Sequence, residues 1–331
     1  MTRTPSAAPP PALPPPALPP SSWILSESYA GLMAQARGLA EAASLAPESR
    51  ILTPRAPWRF VTARLWPAPL AAIGDALAGP LPEIVIGCGG AGAVIGAALR
   101  RRYGLRAVQI QHPRMDLRRF DVILAAIHDD LTGPNVIVTR TALHGVTPAR
   151  LAEAAAIWRP RLAHLPRPLV AVLVGGSNGR FRLGALEAEA LGIRLAALAA
   201  DGAGLAVTPS RRTSSAAQRA LALALAGPRD AGTAYLWDGS GENPYFGLLA
   251  LADVIIATED SVSMMSEAAA TAAPLLVARL PGHSRRIRDF SATLIASGRA
   301  REFTGRLEVW PTIPINDTEA AADELRRRLG Y

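Results

Sequence analysis

The residues best placed to do chemistry lie in "TEDSVSMMSEAAATAAPLLV", residues 258–277, directly behind the hydrocarbon run "ADVIIA". Glu259, Asp260 and the hydroxyls of Ser261, Ser263 and Ser266 precede or enter an alanine-rich helix that also carries Glu267. One hydroxyl suffices to cap a helix, so the surplus polarity asks for a second purpose. With Ser263 as N-cap, residues 264–266 would form the first turn. Its free N–H groups and positive dipole end suit a phosphate. The three serines would add hydroxyl donors to a diphosphate, Asp260 would belong to the same nucleotide-binding set, and Glu267 would accept two hydrogen bonds from a ribose diol. The same residues also fit a plain capped helix with an acid near its dipole.

Other polar loops follow apolar runs. "VLVGGSNGRFRL" (172–183) ends in Gly175 and Gly176, which permit a tight turn and close approach to a ligand. Ser177 and Asn178 then supply hydrogen-bond donors, although an ordinary turn has the same composition. "LWDGSGENPYFGLLALAD" (236–253) gathers Trp237, Asp238, Glu242, Asn243 and Tyr245, enough to stack a base or sugar and read its edge. An Asx turn with core aromatics fits there equally. In the N-terminal half, Glu27 of "SESYAG" and the glycines of "GCGGAG" (87–92) follow apolar runs. His112 and His128 do likewise. His128, adjoining Asp129 and Asp130, has the make-up of an oriented general base, though a lone histidine is commonly structural. Cys88, on an apolar strand end, reads as packing.

These loops need elements to hold them. From Ser21 onward short apolar strands alternate with helices of ordinary length, which predicts an α/β protein with parallel sheets covered on both faces. The rhythm breaks at "WRPRLAHLPRP" (158–168), rich in proline, and then restarts. The expected organisation is a Pro/Ala-rich tail at 1–20, a first Rossmann-like domain at 21–157, a linker at 158–168, a second at 169–315, and an amphipathic C-terminal helix at 316–331. Ligands of such sheets bind beyond the strands' carboxyl ends, so two facing domains would share one cleft.

Composition narrows the function. The 331 residues carry a net charge of +8, yet every one of the 35 basic residues is arginine. That pattern fits a GC-rich coding preference, and clusters such as 100–102, 284–288 and 326–328 fit solvated faces. An anionic membrane surface or a phosphate-bearing ligand would also suit them. Aromatics make up only 5% and no stacking motif is present, so nucleic acid is not an expected partner. The single cysteine excludes an internal disulfide and a cysteine zinc cluster. No metal-ligand spacing or Walker loop occurs, so no metal or resident cofactor is expected. No run reaches membrane-spanning length and the proline-broken N-terminus is unlike a signal peptide. A cytoplasmic protein, with peripheral contact at an inner membrane, is the expectation.

The segments "VLVGGSNGR" and "SVSMMSEAAATAAPLLV", in that order within one domain, resemble the donor half of glycosyltransferase-B enzymes. The cytoplasmic UDP-N-acetylglucosamine transferase of lipid II synthesis is similar, and "VIGCGGAGAVIGAALRRRYGLRAV" resembles an element of its acceptor half. Over residues 21 to 330 the chain more specifically resembles the bacterial branch of the mitochondrial-fission ELM (elongated mitochondria) family. The resemblance rests on "QHPRMDLRRFDVI", "HDDLTGPNVIVTRTALHGVTP", "RLAHLPRPLVAVLVGGSNG", "VTPSRRT", "WDGSGENPY", "TEDSVSMMSEAAAT" and "LEVWPTIPINDT". Members of that family often carry the label of nucleoside-diphosphate-sugar epimerases. The transferase resemblance implies a nucleotide-sugar as substrate, an acceptor in the first domain, diphosphate near Ser177, Asn178, Ser261 and Ser263, and ribose at Glu267. Arg180 or Arg211 would steady the departing diphosphate. The first loop, "SESYAG", lacks the transferases' histidine, so Glu27 or His128 would have to activate the acceptor. An epimerase of the same fold would instead work through Glu27, Asp129 and Asp130. A scaffold that recruits partners would need none of them.

Overall fold

The structure, a computed structural model, describes residues 18–27 and 30–331, the side chains of Ala30 and His128 excepted. Residues 1–17 of the expected tail, and Ser28 and Tyr29 of "SESYAG", lie outside the described residues. The first half runs β1 (Ser21–Ser26), α1 (Ala30–Ala42), β2 (Ala46–Ile51), α2 (Pro69–Ile73), β3 (Ile84–Cys88), α3 (Gly89–Tyr103), β4 (Arg106–Ile110), β5 (Val122–Ala126) and β6 (Val136–Thr139). The second runs α4 (Pro148–Leu162), β7 (Leu169–Val174), α5 (Ala185–Ala200), β8 (Gly204–Pro209), α6 (Ser215–Ala224), α7 (Ala226–Asp230) and β9 (Ala234–Leu236). It continues through α8 (Tyr245–Leu251), β10 (Val254–Thr258), α9 (Val262–Ala269), β11 (Leu275–Ala278), α10 (Arg285–Ala296), β12 (Ala300–Glu302) and α11 (Thr318–Leu329).

Each half forms one parallel six-stranded sheet, ordered β2-β1-β3-β4-β5-β6 and β12-β11-β10-β7-β8-β9. Strands such as "IVIGC" and "LVAVLV" are buried along their whole length, as parallel strands covered on both faces must be. Strand order reverses between β1 and β3 in the first sheet and between β7 and β10 in the second. Loops leaving such a pair diverge to opposite faces and open a crevice. The loops carrying Glu27 and Gly89 flank one reversal; those carrying Gly175–Asn178 and Glu259–Ser263 flank the other.

The domain boundaries differ from expectation in two places. Residues 158–162, expected in a linker, continue α4, and Trp158 and Leu162 are buried in the second domain's core. Pro160 sits within the last turn of that helix and leaves the Ala156 carbonyl without its helical donor, a loss that the buried Trp158 and Leu162 offset. Helix α4 packs against α8, so the division falls near residue 147 rather than 157. The C-terminal helix α11 does not stand apart either. Its Ala321, Ala322, Leu325 and Leu329 join the first domain's core beside Leu39 and Ile137. Arg140 clamps the helix start through Asp317 at 2.5 Å. Among the described residues no helix is long and apolar enough to cross a membrane.

Candidate functional site

Helix α9 begins one residue pair earlier than expected. Ser261, not Ser263, is its N-cap, accepting from Met264 N–H at 3.3 Å in extended backbone geometry. The shift leaves Val262 and Ser263 as the first two helical residues, and among the described residues nothing accepts from their N–H groups. Ser263 faces the other domain: its Oγ lies 3.5 Å from Gln35 Nε2 of α1, and Gly31 packs against it. Ser266 is fully buried and accepts from Ala142 N–H at 3.0 Å, so its hydroxyl ties the domains together.

Glu267 is not beside the open turn. It is 8% exposed, and the Tyr245 hydroxyl donates to its Oε2. Burial pushes its carboxyl up to about 7, against the opposing pull of the Tyr245 hydrogen bond and the Arg150 charge. The phenol of Tyr245 is held well above its ordinary value by the same burial and by Glu267. Arg150 packs its guanidinium 3.9 Å over the Phe246 ring, fixing this cluster from the side of α4. Oε1 of Glu267 has no donor among the described residues.

Much of the remaining polarity in these loops is spent on structure. Asp260, 3% exposed, accepts from Gly176 N–H at 3.0 Å and pairs with Arg212 at 2.7 Å. A Cβ on Gly175 would lie 2.2 Å from the Asp260 carboxylate, and one on Gly176 2.1 Å from Arg212 O. Packing against Asp260 and Arg212 therefore explains the glycine pair without a ligand. Asn178 accepts from Arg180 and Phe181 N–H and donates to Asp260 O at 3.1 Å; Ser177 accepts from Leu183 N–H at 3.0 Å. Glu259 is buried against Arg279. Asn243 accepts from Tyr245 N–H at 3.0 Å as an Asx turn that starts α8. Trp237 donates to Ser240 O at 2.7 Å. Arg211 is exposed and lacks a partner among the described residues, whereas its neighbour Arg212 holds the loop.

The first domain contributes a cavity of about 410 Å³ at its crevice. Glu27 and Asp129, expected as catalytic residues, both line it, with Gly89, His112, Arg114 and Arg286. An ideal Cβ on Gly89 would lie 3.6 Å from Glu27 Oε2, which places the carboxylate at the glycine-rich start of α3. Asp129 is largely occupied: Arg286 reaches across from α10 of the second domain at 3.0 Å. Asp130 is exposed and the side chain of His128 lies outside the described residues. His112 Nδ1 accepts from Arg114 N–H at 2.9 Å. That bond fixes neutral His112 as the Nε2–H tautomer, a donor rather than a base. Arg286 and Arg150 were not singled out by sequence; each is one arginine among 35, and only proximity distinguishes it.

Comparison with known proteins fits this architecture. The family profile described as "Mitochondrial fission ELM1" matches residues 30–329. The chain is 34% identical over 276 residues to the mitochondrial fission protein ELM1 of Arabidopsis thaliana, covering 75% of this chain and 64% of that protein. It thus spans under two thirds of that relative's length. An uncharacterised protein of Rickettsia prowazekii is 26% identical over 287 residues, covering 74% of this chain and 79% of its own. The crystal structure of the Methanocaldococcus jannaschii UDP-GlcNAc 2-epimerase in complex with UDP-GlcNAc and UDP superposes with a TM-score of 0.54 at 11% identity, over 93% of this chain and 98% of that one. The fold is glycosyltransferase-B-like.

Proposed function

From the premise that the chain belongs to the mitochondrial fission ELM1 family, we propose that it binds a nucleotide-sugar between its domains and transfers the sugar to an acceptor. The observation that carries this reading is the open first turn of α9. Among the described residues nothing accepts from the N–H groups of Val262 and Ser263, which lie at the second sheet's reversal point where Ser263 meets Gln35 of α1. Such a turn stabilises a diphosphate, and does so more strongly as charge accumulates on the leaving group. Arg211, exposed beside that loop, would border the phosphates, whereas Glu267 is buried against Tyr245 and Ser177 and Asn178 already hold backbone. An acceptor in the first-domain cavity would meet Glu27, the carboxylate there without an ion pair among the described residues, as its general base. The structural relative in complex with UDP-GlcNAc and UDP has this fold, which supports a nucleotide-sugar without specifying base, sugar or acceptor. On this reading the protein works in the cytoplasm.

Val262→Pro tests the site directly. Ser261 already has extended geometry and Val262 is the first helical position, where proline is tolerated and removes only an unused N–H. In a thermal-shift panel of UDP-, GDP-, CMP- and dTDP-sugars, one series should stabilise the chain. Val262→Pro should then weaken its affinity by about tenfold or more, as loss of a charge-assisted hydrogen bond implies, with the free protein's melting point unchanged. Equal affinity of the two proteins would refute the site. Stabilisation by no nucleotide would favour a scaffold.

A second reading, epimerisation, is favoured by one observation: Glu27 and Asp129 line the same cavity. Acid–base work on both faces of a sugar needs two such groups. An epimerised sugar formed without acceptor would select it.

A further inference from the structure

The wall of the first-domain cavity has a second face. Residues 58–66 form two short 3-10 turns, Trp58–Phe60 and Ala63–Leu65. They are pinned by Trp66, whose buried indole N–H donates to Trp58 O at 3.2 Å and Val61 O at 3.0 Å. Arg59, Val61 and Arg64 of this segment line the cavity. Phe60 and Leu65 are not among its lining residues and stand 76% and 72% exposed. Val61, between them, is also exposed, so residues 60–65 present several apolar side chains together beside arginines, the composition that suits an anionic membrane surface.

The cavity itself is cationic. Arg59, Arg64, Arg114 and Arg286 face only two carboxylates among the lining residues, Glu27 and Asp129, which leaves an excess of two positive charges. Arg286 is spent on Asp129, whereas neither Arg59 nor Arg114 has a carboxylate partner among the described residues. Arg59 lies 4.6 Å over the Phe60 ring, so the last cation of the cavity and the first apolar side chain of the outer face are in contact. Guanidinium groups held at a concave site select phosphate.

We propose that the cavity receives the phosphate head of a lipid-borne acceptor, and that Phe60 and Leu65 seat the first domain on the anionic bilayer that presents it. This names the acceptor class of the transferase reading and rests on that reading for the acceptor's role; the binding itself can be measured without it. The phosphate lies at the arginines, its lipid chains pass over the outer face of residues 58–65 into the membrane, and Glu27 stands beside the group to be glycosylated.

The test is co-sedimentation of the full chain with three vesicle types: phosphatidylcholine alone, phosphatidylcholine with phosphatidic acid, and phosphatidylcholine with the same fraction of phosphatidylglycerol. Phosphatidic acid exposes a phosphate monoester; phosphatidylglycerol supplies charge without one. The chain should bind phosphatidic-acid vesicles most strongly. Arg59→Gln with Arg64→Gln should lower that partition by about thirty-fold, since each arginine near such a surface contributes roughly fivefold, and should erase the preference over phosphatidylglycerol. Phe60→Ser with Leu65→Ser, both at exposed positions, should abolish binding to both anionic vesicles at an unchanged melting point. No binding to phosphatidic-acid vesicles would overturn the proposal, as would binding that Phe60→Ser with Leu65→Ser leaves intact. Arginine-dependent stabilisation by inorganic pyrophosphate without vesicle binding would also overturn it, in favour of a soluble phosphorylated acceptor. Nucleotide-sugar stabilisation, measured on the same proteins, should be untouched by either double variant, so failure of the donor site and failure of this surface give different results.

Discussion

Replacing Glu267 by glutamine should remove a pH dependence of stability that the natural chain carries. Burial raises this carboxyl from the ordinary 4.5 to about 7, because the charged form loses hydration that Tyr245 and Arg150 only partly replace. In the unfolded chain the same group titrates at its ordinary value. Below pH 4.5 both states are protonated and the neutral side chain carries no penalty. As pH rises from 4.5 the unfolded state loses its proton first, so stability falls until the native carboxyl also ionises near pH 7. At about 1.36 kcal/mol per pH unit, the whole transition amounts to about 3 kcal/mol. Glu267→Gln is nearly isosteric and can still accept from the Tyr245 hydroxyl, so it keeps the packing and abolishes the titration. Urea unfolding of both proteins from roughly pH 4 to pH 8 gives the difference in stability. It should move by about 3 kcal/mol in favour of the glutamine variant across the window and level off above it. Tyr245→Phe should displace the same transition to higher pH, because it removes a hydrogen bond that favours the charged form. A difference that stays flat with pH would refute the assignment of Glu267 to a dehydrated, protonatable site.

Four further outcomes are expected. Gly247→Ala would put a methyl group 2.3 Å from the Trp158 ring and should destabilise the chain by about 2 kcal/mol. Gly227→Ala, where nothing lies within 4 Å, should be neutral or stabilising by up to about 1 kcal/mol; urea midpoints compare the two. Arg299 is buried and donates to the carbonyls of Ala268, Ala269, Thr271 and Ala273 at the end of α9. Arg299→Met should therefore lower the unfolding free energy by about 3 kcal/mol or more and weaken any ligand held at the other end of that helix. Burial pushes the Cys88 thiol up to about 12, so iodoacetamide at mildly alkaline pH should alkylate it only after denaturation, read by mass spectrometry.

The alternation of apolar runs was enough to identify most of the strands. It did not reveal β2 and β12, which lie at sheet edges. "APESRI" and "ARE" are half-exposed there, so no core demanded a hydrophobic run. The division between domains was misplaced because Pro160 reads as a helix breaker in sequence, while Trp158 and Leu162 anchor α4 from within the second core. Helix α11 was legible as amphipathic, but nothing local tells an amphipathic helix which sheet will accept its apolar face.

The sequence by itself determined the class of the fold, the two-sheet organisation and the loops at which polar groups gather, because hydrophobic period and glycine placement are local properties of the chain. Only the tertiary structure decided which of those groups remain free. Asp260, Ser177, Asn178 and Ser266 satisfy buried or turning backbone, and Glu267 is turned onto Tyr245. Among the described residues the N–H groups of Val262 and Ser263 and the side chains of Glu27 and Arg59 are left without an acceptor or ion-pair partner. Whether a polar group serves the protein or a ligand depends on which partners are folded against it, and those partners come from residues distant in sequence.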